Sequence, residues 1–160
     1  MKTNRAPDQG YLLLMTGIVA AHLLLVSMTR LYPFLDMPNH LALATTYRFY
    51  DDPDALFKQY YALDLFLKPN VFHLFFCGSK IFPSVEIANK IFYCLYLLLF
   101  ALAAYLIIRK IGGNRWYLLL VPLLFYNCNT AYGFVGCTIG IPVVLLVVYC
   151  MLCDGQGAGW

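Results

Sequence analysis

Apolar residues run almost unbroken through four stretches of this chain, at about 11–29, 85–108, 116–132 and 135–153. Each is near the roughly 20 residues that an α-helix needs to cross about 30 Å of hydrocarbon. The pattern therefore predicts an all-α, polytopic membrane protein with about four transmembrane helices. Ser84 is placed to cap the second span, Glu86 lies in its first turn, and Arg109 and Lys110 close it. Pro122 and Pro142 fall inside the third and fourth spans, where neighbouring helices can satisfy the backbone groups they free. Gly136 and Gly140 form a G-x-x-x-G on the fourth, a spacing that permits close helix approach and is read here as ordinary bundle packing.

Between the first two spans, from about residue 30 to 84, the pattern changes. Leu41, Ala44 and Tyr47 recur every third residue, which predicts a helix from Met37 to Tyr50 with an apolar stripe. Asp52 ahead of Pro53 predicts a second helix reaching Leu67. Val71 to Phe82 is apolar but too short to cross, and is expected to lie at the interface and return the chain to the second span. These are expected to be short surface helices in the first outer loop.

Charge gives a direction. Arg109, Lys110 and Arg115 flank the Ile111-Gly112-Gly113-Asn114 turn, and Lys2 and Arg5 precede the first span. Basic residues near short connections stay in the cytoplasm, so both termini and this turn are expected there, with the 30–84 loop outside. The first span has a longer apolar run than a signal peptide and no A-x-A site follows it, so it is expected to be retained.

Composition agrees with the pattern. The chain is 62% hydrophobic and 12% charged, with mean hydropathy +0.70, against roughly one-quarter charged in soluble domains. The lipid bilayer is thus the first expected partner. A formal net charge of +3 from scattered residues offers no basic run to track a nucleic-acid backbone, so nucleic acid is not expected. The six cysteines lie mostly in or beside apolar runs, as small hydrophobes do, and the Cys150/Cys153 pair has no second pair at metal spacing. The tail from Asp154 carries no motif.

Polar chemistry collects in the outer loop. From Arg30 to Asn70 it holds the basic residues Arg30, Arg48, Lys58 and Lys68 and five of the chain's eight acidic residues. Its sharpest feature is Leu35-Asp36-Met37-Pro38-Asn39-His40, just past the first span. Asp36 there either caps the following helix or serves as a base, and His40 one turn on could join it as a two-ligand corner for a divalent metal. His22, inside the first span, either has a role of its own or bonds to a neighbouring helix. Asp51, Asp52 and Asp54 read as cap and turn residues.

Asp36-Met37-Pro38-Asn39-His40-Leu41-Ala42 is similar to a D-x-P-N-H-L-A segment of bacterial multi-span proteins of the GT-C type. Lys68-Pro69-Asn70-Val71-Phe72 with Ile81-Phe82-Pro83, and Ile108-Arg109-Lys110-Ile111-Gly112-Gly113, resemble that family's H-P-P-L, L-F-G and A-R-R-L-F-G segments in order and spacing. The resemblance covers about Leu31 to Asp154 and extends to the protein O-mannosyltransferases and the lipid A aminoarabinose transferase. It implies a glycosyltransferase in a bacterial inner membrane that moves a sugar from a polyprenyl phosphate to an acceptor hydroxyl at the outer face. Asp36 would be the catalytic carboxylate, with Arg48, Lys58 and Lys68 as candidates for the leaving phosphate. Met37 stands where many members have the second acid of an Asp-Glu pair, and members have eight or more spans, so this chain is expected to be the amino-terminal part of a larger protein. The competing expectations are a transporter or channel subunit, with His22, the prolines and the glycines marking a pathway, and a non-catalytic membrane assembly protein.

Overall fold

The computed structural model describes residues 9–29, 34–65 and 70–154. Among them the regular structure is entirely helical: α1 Gln9–Met28, α2 Met37–Arg48, α3 Phe57–Tyr60, α4 Val71–Gly78, α5 Val85–Ile111, a 3₁₀ segment Arg115–Leu120, α6 Val121–Phe125, α7 Cys128–Tyr132 and α8 Val135–Asp154. Three of these, α1, α5 and α8, are long and apolar enough to cross a membrane.

α5 is the axis of the molecule. Ser84 accepts a bond from the Ile87 amide at 3.2 Å, closing its first turn as expected. At the other end Gly112 sits at φ +70°, and the amides of Gly113 and Gly112 bond back to Ile108 and Arg109. That paired closure needs a left-handed residue, which is why glycine follows Ile111. Between the caps, Phe92, Tyr93, Tyr96, Leu97 and Phe100 form a buried helical stripe. It gathers Phe34 and Met37 from the loop, Phe125 from α6 and Val135 from α8 into one core. The reverse faces of the long helices carry exposed Leu13, Leu24, Leu98, Leu102, Val144 and Met151. Water would penalise such a surface, and hydrocarbon would not.

Residues 116–132 are not one helix. A 3₁₀ segment runs to Leu120, α6 begins with Pro122 in its first turn, the chain breaks at Tyr126 and Asn127, and α7 follows. The break has a local cause: Asn127 accepts from the Thr130 amide at 3.2 Å and starts a new helix, which Gly133 ends at φ +84°. The segment still travels from one end of the bundle to the other. At its start the Tyr11 hydroxyl donates to the Arg115 carbonyl at 2.8 Å. At its finish the amides of Leu35 and Asp36 donate to the carbonyls of Ala131 and Tyr132.

The loop between α1 and α5 folds onto the end of the bundle where Asp36 lies. α2 and α4 form there close to the expected places, although α4 stops at Gly78. Over residues 53–65 the expected helix from Pro53 to Leu67 does not form as one element, and its last two positions lie outside the described residues. Asp52 caps only a tight turn, accepting from the Asp54 amide at 3.0 Å, and Leu56 at φ +56° interrupts the helical path before the single turn of α3. Tyr61 is extended, and residues 61–65 carry no regular secondary structure. In the G-x-x-x-G, a side chain on Gly136 would strike Asn70 Oδ1 at 2.7 Å, while nothing lies within 4 Å of one on Gly140. The first glycine makes room for a loop asparagine rather than for a helix.

Candidate functional site

Asp36 is half-buried at the loop end of the bundle. Its amide bonds to the Tyr132 carbonyl at 3.2 Å, and its own carbonyl accepts from the His40 amide at 3.1 Å. Gly133 closes over it: an added Cβ would come within 3.3 Å of both the amide and the Cβ of Asp36. The backbone is therefore clamped between α2 and α7. The carboxylate makes no capping bond to α2. Two features explain this. Asp36 already has near-helical dihedrals, φ −91° and ψ 0°, whereas a capping side chain works from extended backbone, and Pro38 removes one of the amides a cap would serve.

The three basic candidates have different fates. The Arg48 guanidinium donates to the carbonyls of Ser79 (3.0 Å), Phe82 (2.8 Å) and Pro83 (3.3 Å), tying the end of α2 to the turn that leads into α5. Three of its five N–H donors are thereby engaged with backbone carbonyls. Lys58 pairs with Asp51 at 2.6 Å on the open surface. The hydrogen bond and charge of each hold Asp51 below and Lys58 above their ordinary values. Lys68, like Arg30, lies outside the described residues.

His40 turns toward His73, with ring centroids 5.7 Å apart and nearly edge-to-face. No third ligand supports a metal at Asp36 and His40: among the described residues no group of three or more His, Cys, Asp or Glu could hold one. His22 bonds within its own helix, its Nδ1 2.8 Å from the Ile18 carbonyl, with Tyr126 beside the ring.

The residues the sequence did not single out lie beneath His40. His73 on α4 is 2% exposed, and its Nε2 is 2.9 Å from Asn89 Oδ1 of α5 and 3.3 Å from Cys77 Sγ. With Asn89 presenting its oxygen, Nε2 carries the proton and Nδ1 is the ring's acceptor. Burial pushes His73 down to about 4, with the Asn89 bond opposing and His40 adding to the shift, so the ring is neutral at pH 7. Burial likewise pushes the Cys77 thiol up to about 12, too high to supply a thiolate nucleophile. A polar residue in each of two apolar helices was the available signal, but their pairing across 16 positions arises only on folding.

Above this cluster opens a half-enclosed cleft of about 360 Å³ between α2, α4 and the 61–65 loop. His40, His73, Asn39, Asn70, Asp64 and the rings of Tyr47, Tyr50 and Tyr61 are among its lining. The Tyr50 hydroxyl donates to the Tyr61 carbonyl at 3.1 Å and braces this loop against the end of α2. Asn70, at φ +65°, accepts from the Gly136 amide at 2.9 Å and anchors the cleft to α8.

Set against protein-family models, curated proteins and solved structures, the chain matches none of them. The reading of this site accordingly rests on its geometry and chemistry.

Proposed function

We propose that this chain forms part of a membrane glycosyltransferase that transfers a sugar from a polyprenyl-phosphate donor to an acceptor hydroxyl at the outer face of the membrane. The observation that carries the reading is Asp36: a half-buried carboxylate on a backbone clamped by Tyr132 and Gly133 and not engaged as a helix cap. A general base needs a fixed position and free lone pairs. Asp36 takes the proton of the acceptor hydroxyl as that oxygen attacks the anomeric carbon, and the donor phosphate departs from the opposite face with inversion. Lys58, whose pair with Asp51 is solvent-exposed and exchangeable, is the described candidate for the phosphate.

In this reading the chain crosses the bilayer four times, through α1, α5, the broken 115–132 segment and α8. Both termini and the Gly112–Gly113 turn face the cytoplasm, and α2, α3 and α4 lie on the outer surface. One observation favours the rival transporter reading: the interrupted 115–132 segment, since broken helices line many transport pathways. Reconstituted vesicles loaded with acceptor and given radiolabelled polyprenyl-phosphate sugar separate the two. Glycosyl transfer requires labelled acceptor and free polyprenyl phosphate. Solute flux with no new glycosidic bond would favour the transporter.

A further inference from the structure

The cleft between α2 and α4 is built from a distinctive set of groups. Asn39 and Asn70 bring carboxamides, His40 and His73 bring imidazoles, and Tyr47 and Tyr61 bring aromatic faces. Among the described residues its wall includes one carboxylate, Asp64, and neither lysine nor arginine. Its volume of about 360 Å³ lies at the small end of the roughly 300–1,000 Å³ range of small-molecule pockets. Amides and imidazoles pair with hydroxyls, and tyrosine faces suit the C–H surface of a saturated ring.

We propose that this cleft is a binding site for a neutral pyranose-sized sugar. The inference rests on the glycosyl-transfer reading for the source of the ligand, and on the cleft alone for its chemistry. His73 lines the cleft, its Nε2 2.9 Å from Asn89 Oδ1. Asn70 spends its oxygen on the Gly136 amide and keeps its NH₂ as donor. Asn39 is exposed on the first turns of α2 and supplies both donor and acceptor at the rim. Tyr61, about half exposed, is part of the lining contributed by the 61–65 loop. Asn39, the first residue of its lining, lies three positions after Asp36.

The test is saturation-transfer NMR on the full chain in detergent micelles, with a panel of methyl pyranosides as probes and hexose 1-phosphate for comparison. Saturable binding of at least one neutral glycoside is expected, weakened about tenfold or more by Asn39→Leu and by Tyr61→Leu. Both positions are exposed, so folding is checked by unchanged helical circular dichroism. Displacement of the glycoside by a short-chain polyprenyl-phosphate sugar assigns the cleft to the donor, and retention beside it assigns the cleft to the acceptor. No saturable glycoside binding, or binding untouched by both variants, overturns the proposal. Asp36→Asn keeps the two ideas apart. Glycoside binding with no transfer by either protein would remove the enzymatic reading and leave the sugar site. Transfer that depends on Asp36 but ignores both cleft variants would do the reverse.

Discussion

Replacing Arg48 with methionine keeps the aliphatic stem and removes the three donors that bind Ser79, Phe82 and Pro83. A hydrogen bond from a charged donor is worth roughly 1.5–3 kcal/mol net. The bonds at 3.0 and 2.8 Å are partly buried, whereas the 3.3 Å bond to Pro83 is exposed and readily replaced by water. Two bonds at the low end of that range give a loss of about 3 kcal/mol. Arg48→Lys should recover under half of it, because one ammonium cannot fork across carbonyls on both sides of the turn. The assay is reversible unfolding in mixed micelles, followed by helical circular dichroism, alongside donor binding at a temperature where every variant is folded. Arg48→Met should unfold far more readily and bind donor normally. Wild-type stability to within about 0.5 kcal/mol together with lost donor binding would refute the clamp and return Arg48 to the phosphate.

Other consequences follow from the same region. His73 is held down to about 4 in the folded protein against an ordinary value of 6.5, so below pH 6.5 the unfolded chain binds a proton that the native chain does not. Stability should therefore fall as pH drops from about 6.5 to about 4, by up to about 3 kcal/mol, and His73→Gln should flatten that part of the profile in pH-dependent unfolding. An alanine Cβ at Gly78 would lie 2.6 Å from Tyr47 Cδ1 and 2.9 Å from the Ala44 carbonyl. Backbone cannot yield there as a side-chain tip can, so Gly78→Ala should cost about 1–3 kcal/mol by pushing α4 off α2. Gly133→Ala combines a φ of +84° with contacts at 3.3 Å to Asp36. It should cost about 1 kcal/mol or more and lower transfer activity further than its stability loss explains. A cysteine at position 54 should react with a membrane-impermeant reagent from outside, and one at 113 should not; the opposite pattern would reverse the proposed orientation.

Runs of apolar residues and their end signals made α1, α5 and α8 legible, because span length and caps are local properties: Ser84 and Gly112 act as their residue types require. The 116–132 stretch misled because hydropathy does not see a helix break. Asn127 and Gly133, a start and a stop five residues of helix apart, carried that information within an apolar run. The 53–67 stretch misled in the opposite way: Asp52 and Pro53 signal a turn and a helix start equally well, and Leu56 in the left-handed region decided for the turn. At the candidate site, the position of Asp36 was readable, but its freedom from capping depends on dihedrals that no residue type dictates. The roles of Arg48 and of the His73–Asn89 pair are set by partners 16 to 35 residues away, so only the folded chain reveals them.

The central claim is that Asp36 acts as the base, and Asp36→Asn tests it most directly. The amide is nearly isosteric, the backbone bonds to Tyr132 and His40 do not involve the side chain, and no capping bond is lost. Folded protein in the membrane should be unchanged. Transfer from a polyprenyl-phosphate sugar should fall by about a hundredfold to ten-thousandfold, with donor binding retained. Wild-type-like transfer by the folded Asn variant would contradict the account.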